Sequence, residues 1–109
     1  MNKVVGLFTK VVFQRSHSEA AAQVQEWLDQ HPMVEVAHLA ASSAQYGHCI
    51  TLVARESERT NRYRFDLVRV ASPLDTHAFE NSVQGPGTLQ MIAQSANEYG
   101  HWTALLFSL

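Results

Sequence analysis

The chain has 109 residues, 46% hydrophobic and 17% charged, with a formal net charge of −2. That composition excludes a disordered segment, and the charge balance argues against a nucleic-acid coat protein or a basic membrane binder. The single cysteine, Cys49, excludes an intramolecular disulfide framework, and no run of about 18 apolar residues is present to span a membrane.

The length suits one domain over residues 1–109. The N-terminus lacks the basic start, long apolar centre and small-residue cleavage site of a secretion signal, so a cytoplasmic location is expected. The low charged fraction leaves fewer charges to cover the surface and favours burial of some apolar surface in a partner.

Residues 3–15 are rich in Val and Phe and predict a strand, with Gly6 marking a bulge or a close backbone approach. Ser16 and Glu19 then form a capping box. The helix over residues 17–30 carries Ala20, Val24, Trp27 and Leu28 on one face and turns Gln23, Gln25, Glu26 and Asp29 outward. Pro32 ends it. Residues 33–42 and 48–55 predict two strands of a hairpin around a turn at Ser42–Gly47.

A polar turn over 56–61 leads to a strand at 62–70. There Tyr63, Phe65 and Leu67 share one face, opposite Arg62, Arg64 and Asp66. A change of phase at Val68–Arg69 predicts a bulge. The stretch 71–87 is long for a connection, and Ser72-Pro73 within it resembles a helix start. After the breaker Gln84-Gly85-Pro86-Gly87, Thr88 is expected to cap a second helix with Leu89, Ile92, Ala93 and Ala96 on one face and Gly100 just past its end. Residues 102–109 predict a last strand, apolar on both faces.

The two helix–breaker–strand stretches echo one another, pairing Val24 with Ile92, Leu28 with Ala96, Pro32 with Gly100 and Val34 with Trp102. The expected fold is therefore α+β, a ferredoxin-like split βαβ variant of order βαβββαβ. It would have an antiparallel or mixed sheet of about five strands with both helices on one face. The uncovered sheet face then needs the 71–87 segment or a second copy of the chain, which points to a homodimer.

Six histidines invite a metal reading, but no HxxxH or HExxH pair and no cysteine pair supports one, so no metal is expected. His31 and His101 sit where a helix gives way to a strand and suit its negative end. His17 lies in a first helical turn, exposed to solvent. His38 and His48 are placed to face each other across the hairpin. Cys49 adjoins His48, but neighbouring strand residues point apart, so Cys49 reads as a buried core residue.

Five of the eight Lys and Arg residues lie between Arg55 and Arg69. Of these, Arg62 and Arg64 on one strand face form a candidate anion site, weighed against surface pairing with Glu56, Glu58 and Asp66. No phosphate loop or other cofactor motif is present. Nothing matches the aromatic-rich strand signature of an RNA-binding sheet. Trp27 and Trp102 fall on core faces.

The sequence points first to a non-enzymatic binding or assembly module acting as a homo-oligomer, with a protein or small molecule as a further partner. The alternative is a small-molecule carrier or enzyme with a pocket between sheet and helices, lined from among His38, Tyr46, His48, His77 and His101.

Overall fold

Alternating apolar residues build strands at almost every point where the chain is not capped into a helix. The computed structural model describes residues 2–4, 7–45, 47–70, 80–81 and 83–109. In chain order the elements are β1 (Asn2–Val4), β2 (Leu7–Gln14), α1 (His17–Gln30), β3 (Val34–Ala44), β4 (Gly47–Glu56), β5 (Tyr63–Val70), β6 (Thr88–Asn97) and β7 (Gly100–Ser108). The strands form a sheet of order β1-β2-β4-β3 and a second sheet of order β5-β7-β6. Every pairing is antiparallel.

The helix α1 begins and ends as its sequence dictates. Ser16 is the N-cap and its hydroxyl accepts from the Glu19 N–H at 3.1 Å. Ala20, Val24, Trp27 and Leu28 form the buried stripe. His31 caps the far end: its Nδ1 lies 2.7 Å from the Trp27 carbonyl, and its ring stacks on the Trp27 indole at 4.5 Å.

Gln25 is not turned to water as its helical position suggests. Its Nε2 donates to the Tyr63 carbonyl and its Oε1 accepts from the Phe65 N–H, each at 2.8 Å. The amide thus bonds the edge of β5 as a neighbouring strand would.

The second sheet overturns the expectation of a second helix and, with it, of a five-stranded sheet carrying two helices. Thr88–Asn97 is strand β6, hairpinned to β7. Leu89, Ile92, Ala93 and Ala96 fit a helical period, but the same stretch also alternates. Leu89, Met91, Ala93 and Ser95 lie on the more covered face, while Thr88, Gln90, Ile92, Gln94 and Ala96 are exposed. Pairing with the apolar β7 decides between the two periods, because tertiary context overrides local propensity. Gly100 accordingly belongs to a hairpin rather than a helix end. The internal echo does not correspond to a structural repeat, since one copy is helix and the other strand.

The bulges also fall elsewhere. β5 pairs with β7 in unbroken register through Val68 and Arg69. Register shifts occur at Val36/His38 and Leu89/Met91. The bulge in β3 disturbs the ladder, and the buried Tyr63 hydroxyl accepts from the Val36 N–H at 3.1 Å.

The two sheets approach each other along β3 and β6, while α1 packs on β2, β4 and β5 on the other side. The enclosed core takes Val12, Ile50 and Leu52 from the first sheet, Phe65, Leu67, Trp102 and Leu106 from the second, and the apolar stripe of α1. As its sequence predicts, β7 is apolar on both faces, and Trp102–Phe107 are all buried. Arg64 covers part of its outer face, with its guanidinium carbon 3.7 Å from the centre of the Phe107 ring. No helix among the described residues is long and apolar enough to cross a membrane.

Candidate functional site

The topology gathers many chain reversals at one end of the molecule. β2, β3, β5 and β6 finish there, and α1, β4 and β7 begin there. Between them lies an open cleft of about 560 Å³, lined among others by Arg15, His17, His48, Arg69, Tyr99 and Trp102.

Polar bonds join the two sheets at the floor of this cleft. Ser43 near the end of β3 bonds Ser95 near the end of β6, hydroxyl to hydroxyl at 2.6 Å, and His48 Nδ1 at 2.8 Å. Asn97 Nδ2 donates to the Ala44 carbonyl at 3.2 Å. The Asn97 Oδ1 accepts from the Tyr99 N–H at 2.9 Å and from the Trp102 indole N–H at 3.0 Å. One side chain thereby fixes the β6–β7 turn, orients Trp102 and ties the turn to β3.

His48 is only 4% exposed. Its ring meets the Trp102 ring edge-on at 4.4 Å, and the exposed His17 ring lies 5.0 Å from Trp102. Burial lowers the His48 pKa, and the nearby His17 charge lowers it further. A neutral His48 holds both a donor and an acceptor at its ring nitrogens.

Two guanidinium groups stand at the rim. Arg15 follows directly from β2 and is exposed. Arg69 lies on the same face of β5 as Tyr63, Phe65 and Leu67, but at the strand's end, where that face opens into the cleft. Its alternation is therefore unbroken, and the charge in an apolar row marks the site. Arg69 Nε donates to the Tyr99 carbonyl at 2.6 Å. Gly100 makes room for it. With φ at +141° and only 2.7 Å between an added Cβ and Arg69 Nε, a side chain there would displace the arginine. Among the described residues neither Arg15 nor Arg69 reaches a carboxylate within ion-pair distance, although Glu98 also lines the cleft.

Of the histidine and tyrosine candidates raised by the sequence, the structure places His48 in the cleft. His38 lies on the outer face of the first sheet, opposite Val53, while His48 pairs with Ser43, so the two imidazoles do not face each other. His101 is on β7 between Val70 and Ala96 and does not line the cleft. Tyr46 and His77 lie outside the described residues, as do Gly6 and the Ser72-Pro73 helix start. Cys49 is half-buried on the outer face rather than in the core, and points away from His48. Among the described residues no three His, Cys, Asp or Glu side chains are grouped to hold a metal ion.

Arg62 and Arg64 line a second cleft, of about 730 Å³, with Gln25 and Asp29. Arg64 is committed there to internal partners. It donates to the Pro86 carbonyl at 3.0 Å and the Gln84 carbonyl at 3.2 Å, and pairs with Asp66. The exposed Arg62 stands apart from those bonds. Arg15 and Arg69 escape a first reading because they are far apart in sequence, are carried by different sheets and come to one cleft only where the two sheets pack together. Compared with family models, curated proteins and solved structures, the chain matches none.

Proposed function

We propose that the chain is a non-enzymatic binding module that takes a small anion, a carboxylate or phosphate ester, in the cleft between the two sheets and the start of α1. The observation that carries this reading is the meeting of Arg15 and Arg69 at one open cleft, neither with an acidic partner among the described residues. Guanidinium groups match the planar, two-oxygen geometry of such ligands. The exposed Tyr99 ring at the rim offers a flat apolar surface for the rest of the molecule. Neutral His48 supports the reading as a hydrogen-bonding group that adds no like charge to Arg15 and Arg69.

The Ser43–His48 pair favours binding over catalysis. Ser43 is already bonded to Ser95, and among the described residues no carboxylate orients the imidazole, as a nucleophile and its base require. A cytoplasmic location goes with this reading, since a lone thiol suits a reducing compartment.

Calorimetric titration with phosphate, acetate and benzoate tests it. Saturable one-site binding is expected, weakened about tenfold by Arg15→Ala and by Arg69→Ala. Absence of saturable binding, or wild-type affinity in both variants, would remove the proposal.

A further inference from the structure

The cleft also carries a mark of which anion it takes, a conclusion that rests on the anion-binding reading above. His48 bears that mark. The residue is 4% exposed, and Ser43 occupies its Nδ1 at 2.8 Å. Its Nε2 has no hydrogen-bond partner among the described residues, yet no enclosed side-chain nitrogen or oxygen among them is left without one. Nε2 is therefore open to solvent on a ring that is otherwise covered and that lines the cleft.

The hydroxyl pair behind the ring sets its proton. Ser43 Oγ lies 2.6 Å from Ser95 Oγ and 2.8 Å from His48 Nδ1, and each hydroxyl has one proton to give. When Ser95 donates to Ser43 and Ser43 to Nδ1, the single ring proton of a neutral His48 sits on Nε2. In the opposite polarity Nε2 presents a lone pair, which repels an anion. A bound anion selects the first arrangement.

We propose that the His48 Nε2–H is the donor that makes the cleft selective for phosphate monoesters over carboxylates. Three side-chain donors line one cleft from separate places: Arg15 after β2, His48 on β4 and Arg69 at the end of β5. A tetrahedral phosphate offers three terminal oxygens to such a set. A planar carboxylate offers two, which two guanidinium groups already engage. Charge acts in the same direction. Arg15 and Arg69 outnumber Glu98 among the charged side chains lining the cleft. The helix α1 starts at the cleft wall with Ser16 and His17, where its dipole favours the second charge of a phosphate monoester.

At about pH 7.5, where a phosphate monoester is dianionic, calorimetric titration with phenyl phosphate and with benzoate compares the two headgroups on one ring. Wild type is expected to bind phenyl phosphate about tenfold or more the tighter. His48→Asn, whose short amide keeps a partner for Ser43 but no donor at the Nε2 position, shrinks that preference about tenfold. His48→Gln, whose longer amide places an N–H near the Nε2 position, restores most of it. Unaltered circular dichroism shows that both variants fold. A second measurement needs no variant: long-range nitrogen–proton correlation of the wild-type His48 ring shows the proton on Nε2 in the phenyl phosphate complex. Equal affinity for the two probes, a preference unaltered by His48→Asn, or a ring proton on Nδ1 in the complex would each overturn the proposal and leave anion binding standing. Binding of neither probe would remove the anion reading and the selectivity with it.

Discussion

His48 shows how one buried side chain links fold and site. Burial, reinforced by the His17 charge, holds its folded-state pKa below the unfolded value of about 6.5. Between those two values the unfolded chain takes up a proton that the folded chain refuses. The contribution is therefore fully present above about pH 6.5 and is lost as pH falls toward the lowered pKa. Thermal melts from pH 7.5 down to 5.5 should show the midpoint falling more steeply in wild type than in His48→Gln. Parallel slopes would mean that His48 does not carry the linkage. The signal was only partly legible in sequence. Its alternation with Ile50 and Leu52 places His48 on the inward face, but its Ser43 and Trp102 neighbours depend on the register of β3 and on the docking of the second sheet.

At the scale of elements, two side chains hold together parts that backbone ladders do not join. Gln25 supplies both partners of a backbone pair on the edge of β5, and the Tyr63 hydroxyl accepts the Val36 N–H beside the β3 bulge. Removing either leaves covered backbone groups without a partner, so Gln25→Ala and Tyr63→Phe should each lose about 1–3 kcal/mol. Urea unfolding measures this, and an unchanged midpoint would show that water replaces the lost partner.

Residues 3–15, expected as one strand, supply both β1 and β2, which pair antiparallel with each other. Strands β3, β4, β5 and β7 and all of α1 could be read from the chain, because alternation, capping residues and a clean apolar stripe act locally. Gln25 could not: helical spacing places it beside polar neighbours, and the strand that bonds it lies far along the chain. β6 could not either, since its Leu, Ile and Ala residues satisfy both periods and the choice rests on β7.

For the whole molecule, antiparallel pairing gathers strand ends at one pole. It is this topology, not any motif, that brings Arg15, His48 and Arg69 to one cleft. Arg69 carried a local signal as a charge in an otherwise apolar row. From sequence alone a bulge is the simpler cause of that break in pattern, because nothing in the sequence shows that the row ends at an opening. The two tryptophans provide a direct test of where a ligand sits. Trp102 hydrogen-bonds Asn97 beside the cleft, whereas Trp27 stacks on His31 near the far end of α1. The decisive measurement is a nitrogen–proton correlation spectrum of both indole N–H groups during titration with phosphate. The account predicts a saturable shift of the Trp102 signal, with Trp27 unmoved. Equal movement of both signals, or movement of Trp27 alone, would contradict it.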